Sequence, residues 1–187
     1  MWLVMIYELC DVTIDEDLMI LKQETFQDIM DECYASTFER IPKQCITITA
    51  SDSSGIEFPD YFYHNYVPLF SQRVYERIDG LLQPEIFVRD VNVCSPVGKE
   101  TRAYKMVLPK RIDCVDTQKS ILRPLVPGVP NSPIRVEKLV VDENLLGNAT
   151  IFKLAGVKDS GIYIRSELYK ILYANDWCGM EFCNTGG

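Results

Sequence analysis

The chain has 187 residues, of which 47% are hydrophobic and 25% charged, and its formal net charge is −8. This composition is typical of a globular domain and excludes a disordered chain, which would be poor in apolar residues. The length predicts a single domain over residues 1–187, since a domain of about 100–200 residues is usual.

The first fifty residues predict a strand, a helix and a second strand. Residues 1–9 are apolar and rich in strand formers. Apolar residues recur at helical spacing over 24–38, which predicts an amphipathic helix that points Asp28, Asp31 and Glu32 to solvent. Residues 45–50 then alternate in the period-2 manner of a half-buried strand.

The middle of the chain predicts a loop, a helix and a hairpin. Residues 58–70 are aromatic and hold two prolines, so we expect packed loop with short extended pieces. Ser71 is a good N-cap for a helix over 72–82. Residues 85–93 and 101–108 predict antiparallel strands joined by a turn at 95–98.

Residues 121–133 contain four prolines and one glycine, which predicts a long loop that is either mobile or functional. Strands are expected at 134–141 and 150–154, joined by a turn with Gly147 and Asn148.

The last part of the chain repeats an earlier arrangement. A short strand at 162–164, a helix capped by Ser166 and a strand at 180–182 reproduce the order of elements between Ser71 and residue 87. The whole pattern predicts an α+β fold of mainly antiparallel, twisted sheets with two or three packed amphipathic helices.

The seven cysteines are odd in number and scattered, which favours reduced core residues of a cytosolic protein over a disulfide framework. Structural zinc sites usually use closely spaced cysteine pairs, and only Cys178 and Cys183 are close, so we expect no metal. No stretch approaches the roughly 18 apolar residues of a membrane span, and residues 1–7 lack the features of a signal peptide. A cytoplasmic location is therefore expected.

Catalytic and nucleotide motifs are weak. His64 is the only histidine, so any imidazole base must be this residue, and a cysteine nucleophile paired with it remains an alternative. Neither phosphate-binding glycine motif is present, and we expect no cofactor. The basic window at 102–111 is explained as a strand with a charged outer face, so nucleic acid is not an expected partner.

Seven segments, in this order and spacing, resemble the immunity proteins of bacterial polymorphic-toxin systems. The resemblance is to immunity protein family eleven and its relative family forty-three, and it covers residues 58–183. The segments are P-L-F-S-Q-R-V at 68–74, E-I-F-V-R-D-V at 85–91, I-D-C-V-D-T-Q-K-S at 112–120, R-V-E-K-L-V-V-D-E at 135–143, I-F-K-L at 151–154, I-Y-I-R-S-E-L-Y-K-I-L at 162–172 and G-M-E-F at 179–182. The acidic residues 1–57 and the insert at 123–133 depart from the family.

This resemblance implies a cytoplasmic protein that binds a cognate secreted toxin and blocks its active site or an essential surface. It carries over no catalytic residue, so we expect a binding protein and not an enzyme. An adaptor subunit of another complex, or a small cysteine-nucleophile enzyme, is the alternative.

The negative charge suggests where a toxin would bind. Residues 1–40 hold ten carboxylates against Lys22 and Arg40, while the remainder carries 17 residues of each sign. Such a field attracts a basic active-site cleft, although a merely solvated face fits as well. Tyrosines could add anchors, with core packing as the alternative for each. The predicted partner-binding residues are Asp15, Glu16, Asp17, Asp28, Asp31, Glu32, Tyr61, Tyr63 and Tyr66.

Overall fold

The computed structural model describes residues 5–12, 17–35, 37–52, 55–96, 100–130, 132–156 and 161–186. In chain order the elements are β1 (Ile6–Asp11), α1 (Met30–Ala35), β2 (Ile46–Thr49), β3 (Tyr61–His64), β4 (Val67–Ser71), α2 (Gln72–Ile78), a 3-10 turn (Asp79–Leu81), β5 (Phe87–Cys94), β6 (Thr101–Leu108), β7 (Arg111–Ile112), β8 (Ile121–Pro124), β9 (Ile134–Lys138), α3 (Glu143–Leu146), β10 (Ile151–Leu154), β11 (Ile162–Arg165), α4 (Ser166–Tyr173) and β12 (Met180–Asn184).

Two large sheets and one hairpin confirm the predicted α+β class. The first sheet has the strand order β12-β1-β11-β10-β7 and the second β2-β5-β6-β4-β3. Strands β8 and β9 form a separate antiparallel pair. Most pairs are antiparallel, and the parallel ones are β2 with β5 and β7 with β10. No helix in the described ranges is long and apolar enough to cross a bilayer.

The recurrence predicted from the sequence is present in both sheets. Helix α2 connects β4 to β5, and these strands flank β6, which is antiparallel to both. Helix α4 likewise connects β11 to β12, which flank β1. The two helices contact each other, so each sheet contributes the same strand–helix–strand unit to a shared core.

Both large sheets are covered on both faces. Leu69 and Phe70 are adjacent in β4, and since successive strand residues point to opposite faces, they enter different hydrophobic clusters. The cluster of Phe70 also takes residues of α2, α4 and the first sheet. Leu69 packs with residues from the 19–41 segment, and Phe152 of β10 packs in a third cluster with Leu139. The 19–41 segment is thereby fixed against the second sheet.

The helix predicted over 24–38 is much shorter than expected. Only Met30–Ala35 is helical, and Phe26 and Phe38 have φ angles of 64° and 62°. A right-handed helix cannot continue through a left-handed residue. The apolar stripe is nevertheless buried, because Phe26, Ile29 and Cys33 are all in the core.

Residues 61–71 form a regular hairpin, within a segment where packed loop with short extended pieces was predicted. Strands β3 and β4 pair in register across Asn65 and Tyr66, whose positive φ angles of 47° and 67° suit a two-residue hairpin turn. Pro68 lies opposite Tyr63 and precedes the pairing with β6, which begins at Leu69. Its missing N–H group therefore does not interrupt the β4–β6 ladder.

The proline-rich segment is also more regular than predicted. Strand β8 pairs with β9, so residues 121–130 and 132–138 belong to a hairpin arm. Leu125, Val126 and Val129 at its tip are exposed by 61%, 49% and 52%. The arm thus carries an apolar end into solvent.

Other boundaries are corrected in smaller ways. Strand β9 ends at Lys138, and the turn expected before β10 contains α3, which Asp142 caps. The helix predicted over 72–82 is confirmed as α2 with its 3-10 turn, and 101–108 is confirmed as β6. Ser71 is the N-cap residue of α2 as predicted, but its hydroxyl donates to Asp60 and makes no cap hydrogen bond. Ser166 is already inside α4, whose N-cap residue is Arg165. Residues 1–4 of the first predicted strand, and 97–98 of the predicted turn, lie outside the described residues.

Candidate functional site

A cleft of about 690 Å³ opens between α1, the β8–β9 hairpin and the part of the first sheet formed by β11, β1 and β12. This volume lies within the range of ligand-binding pockets. We call it the acidic cleft. It is lined by Glu8, Met30, Asp31, Tyr34, Tyr66, Leu125, Pro133, Ile134, Arg135, Val136, Glu137, Tyr163, Cys183, Asn184 and Thr185.

Aromatic rings form the α1 wall. Tyr34 of α1 and Tyr66 of the β3–β4 turn meet edge to face, with ring centroids 5.0 Å apart. Tyrosine supplies large contact area at low entropic cost, which is why it is common in protein-binding surfaces. Helix α1 places Asp31 on the same wall.

Two cationic side chains attach this wall to the first sheet. The Nζ of Lys153 donates to the carbonyl oxygens of Cys33 at 3.2 Å and Tyr66 at 2.9 Å. The Nε of Arg111 donates to the carbonyl oxygen of Tyr34 at 2.7 Å. Cations are favourable at a helix carboxyl end, where backbone carbonyls lack helical partners. The wall is therefore held by charge-assisted hydrogen bonds.

Lys153 holds its charge at a cost. The side chain is fully buried. Burial, with a smaller contribution from the neighbouring Arg111, lowers the pKa of Lys153 from 10.5 to about 8. Lys153, which holds the α1 wall, consequently begins to lose its proton in mildly alkaline solution.

The opposite wall is built from paired strands. Glu8 of β1 lies opposite Tyr163 of β11 on one side and Cys183 of β12 on the other. Beyond β12, the hydroxyl of Thr185 donates to the carbonyl of Ile6 at 2.8 Å. The N–H of Leu139 donates to the carbonyl of Thr185 at 2.9 Å, which joins the base of the hairpin to the end of β12.

Negative charge predominates in the cleft. Glu8, Asp31 and Glu137 line it together with a single guanidinium, that of Arg135. Glu137 is already engaged, since its Oε2 lies 2.8 Å from the Nε of Arg123. Asp31 is exposed on the facing wall. The arrangement favours a cationic ligand group.

Two of the predicted partner-binding residues, Asp31 and Tyr66, are brought together here. Asp28 is exposed but does not line the cleft. Asp17 is exposed elsewhere, and its carbonyl accepts from the N–H of Glu57 at 2.9 Å. Asp15 and Glu16 lie outside the described residues.

The expected orientation of Glu32 is wrong. Its side chain is 8% exposed, and its carboxylate accepts hydrogen bonds from Thr37 Oγ1 and Arg40 Nε, both at 2.6 Å. The bonds from Thr37 and Arg40 lower the pKa of Glu32. Because the chain folds back after α1, this carboxylate is an internal acceptor and does not belong to an acidic face.

The tyrosines divide in the same way. Tyr61 is 1% exposed and packs on Phe70 with ring centroids 5.0 Å apart, so in this fold it is a core residue and not a surface anchor. Tyr63 is half-buried, and it lines a smaller cavity of about 110 Å³ with His64. Of these three predicted tyrosines, only Tyr66 lines the acidic cleft.

The chemistry of the thiols bears on the enzyme alternative. Burial raises the pKa of Cys33 and of Cys114 to about 11, whereas a nucleophilic cysteine needs a lowered pKa. No disulfide joins any of the seven cysteines, although the Sγ atoms of Cys10 and Cys183 are 3.5 Å apart. Within the described ranges, no cluster of three or more potential ligands could hold a metal ion.

Sequence reasoning missed Glu8, Arg135 and Glu137 as site residues. The alternation of apolar and charged residues over 134–138 marks an outward-facing charged side of β9, but it does not say what that side meets.

No protein-family model matches the chain, and no curated protein matches it in sequence.

Proposed function

We propose that this protein is an immunity protein that binds and neutralises a cognate secreted bacterial toxin by covering its active site or an essential surface. The acidic cleft is the observation that supports the proposal most directly. It combines carboxylates, tyrosines and the exposed Leu125 of the hairpin tip in one concave surface. Charged groups of this kind give speed and specificity to association, while buried aromatic groups give affinity.

The proposed mechanism is steric and electrostatic. The acidic surface attracts a basic region of the toxin, and the bound immunity protein then excludes the substrate. The resemblance of residues 58–183 to immunity proteins predicts the same role from the sequence, and no family model matches the chain. The raised pKa values of Cys33 and Cys114 weaken the cysteine-enzyme alternative for those two thiols.

Co-expression with the product of the adjacent open reading frame tests the proposal. We expect growth to be restored and a 1:1 complex to be purified, because one protein must cover one toxin. An unrelated toxin should not be neutralised. Failure to protect cells from the adjacent gene product, or detection of small-molecule turnover abolished by one substitution, would reject the immunity role.

Thiol labelling locates the bound surface. Cys183 is exposed in the acidic cleft, and Cys45 is exposed outside it. We expect the bound toxin to slow maleimide labelling of Cys183 by at least about tenfold, since a well-packed interface excludes solvent and reagent. Cys45 is the matched control and should react at an unchanged rate. Equal protection of both thiols, or of neither, would contradict a toxin seated in the cleft.

A further inference from the structure

The acidic cleft meets its flanking strands at their edges. Five consecutive residues, 133–137, line it from the hairpin, and three more, 183–185, line it from the end of β12. Successive side chains of a strand point to opposite faces, so a surface that touches consecutive residues runs along the strand edge. The cleft therefore borders the backbone of both strands.

Each of these strands has a partner on one side only. In the described part of the chain, β9 pairs with β8 and β12 pairs with β1. Within the described residues no strand pairs with their other edges, and an open strand edge is a template for an added strand. The bond from Leu139 to Thr185 joins the two edges at one end, so the cleft has a closed end there.

The charges select the kind of strand. Glu8 and Asp31 stand on different walls, and Glu137 stands on β9 beside its partner Arg123. An arginine or lysine side chain inserted between the walls gains Coulombic attraction in a partly dehydrated space. The guanidinium of Arg111 already lies 4.4 Å from the centroid of the Tyr34 ring. Tyr66 is therefore the ring that can stack on an incoming guanidinium plane. Arg135 opposes this charge preference, and Arg123 already neutralises Glu137. The preference for a cation therefore rests on Glu8 and Asp31.

We infer that the acidic cleft captures an extended basic segment of the partner protein, which adds as a strand along β9 or β12 and places an arginine or lysine between Glu8 and Asp31. Backbone hydrogen bonds supply affinity in such complexes, and pockets for alternate side chains supply specificity. The inference rests on the proposed function for the identity of the partner, since a toxin would supply the segment. That the segment is extended and basic follows from the strand edges and carboxylates of the cleft alone.

A peptide experiment tests this chemistry without the toxin. The probes are a short labelled peptide in which arginine alternates with valine, and its counterpart with glutamate in place of arginine. We expect the arginine peptide to bind at least about tenfold more tightly, because the glutamate peptide would meet like charges. Equal binding of the two peptides, or binding of neither, would overturn the inference.

Asp31→Lys and Asp28→Lys form a matched pair of variants. Both positions are exposed, they are three residues apart, and both substitutions change the net charge equally. Asp31→Lys should weaken binding of the arginine peptide by about tenfold, and Asp28→Lys by less than about twofold, since screening reduces effects outside the cleft. Equal losses would show that the overall charge, and not the cleft, attracts the peptide.

Amide hydrogen exchange tests the added strand. Bound peptide should protect backbone amides within 134–138 or 182–184. Amides of β2, the edge strand of the second sheet that contributes no residue to the cleft, should be unchanged. Tight binding without protection in either segment would reject strand addition. If the peptide binds as expected and the adjacent gene product does not, the toxin proposal fails alone. If the toxin binds and is insensitive to Asp31→Lys, the cleft inference fails alone.

Discussion

An Arg73→Ala variant is expected to lose about 1.5–3 kcal/mol of folding stability, because it removes the charge-assisted hydrogen bonds that a largely exposed guanidinium donates to a buried carboxylate. Asp60 is 2% exposed. Its carboxylate accepts hydrogen bonds from Arg73 Nε at 2.6 Å, Ser71 Oγ at 2.7 Å and the N–H of Cys178 at 3.0 Å. These bonds connect the start of α2 to the segment leading into β12, so the loss affects both halves of the core.

The pH dependence of the same variant should change sign. Burial acts to raise the pKa of Asp60, but the hydrogen bonds from Arg73, Ser71 and Cys178 outweigh it and lower the pKa. In the unmodified protein this stabilisation is present above the unfolded pKa and is lost as the pH falls through the folded pKa. Without the guanidinium, burial should raise the pKa of Asp60 instead, and acidification from neutral pH should then reduce the stability deficit.

Urea unfolding of both proteins between pH 7 and about pH 4 measures this effect. Arg77→Ala is the matched control, because Arg77 is exposed on the same helix. It should cost less than about 0.5 kcal/mol, as surface substitutions usually do. An Arg73→Ala deficit that stays constant over this pH range would contradict the assigned role of the ion pair.

Local sequence signals predicted the elements whose determinants are local. The apolar spacing of 72–82 identified α2, and the alternation of 101–108 identified β6. The failures have tertiary causes. Phe26 and Phe38 adopt left-handed backbone conformations, and their rings pack in the core around the second sheet. A helix-propensity argument does not include the free energy of this burial.

Glu32 shows why a helical pattern predicts a face but not its surroundings. The spacing placed this side chain opposite the apolar stripe, yet the chain returns over it and supplies Thr37 and Arg40. The hairpin at 61–71 was missed for a related reason. Its prolines argue against a regular strand in isolation, but Pro68 occupies a position where no N–H is needed for the β4–β6 ladder.

The acidic cleft depends on strand order, which local patterns do not encode. Glu8, Asp31 and Cys183 come from three distant parts of the chain. They meet because β1 lies between β11 and β12, and because α1 is bound to β10 through Lys153. Of the residues that line this cleft, the sequence singled out Asp31 and Tyr66, whereas the walls required the sheet topology.

Between about pH 8 and pH 10.5, Lys153 should raise the unfolding free energy of the unmodified protein by roughly 3 kcal/mol. The Lys153→Met variant should lack this rise. In this range unfolded Lys153 is protonated, with a pKa of 10.5, whereas the folded form, with a pKa of about 8, has lost its proton. The unfolded state thus binds more protons, so this group makes stability rise with pH. Cys33 and Cys114 act in the opposite sense, because their pKa values are raised to about 11.

The difference between the two proteins isolates Lys153, because the contribution of Cys114 is common to both and folded Cys33 stays protonated up to about pH 10. Unfolding free energies at pH 7, 8, 9 and 10 should therefore diverge steadily, with Lys170→Met on the exposed side of α4 as a control that shows no divergence.

Methionine also leaves the carbonyls of Cys33 and Tyr66 without their donor, at a cost of about 1–3 kcal/mol each. Because those carbonyls belong to the α1 wall, the variant should exchange its α1 amides faster and bind the arginine peptide more weakly. A pH-independent difference would mean that Lys153 does not carry the buried charge, and the α1 wall would then depend on Arg111 alone.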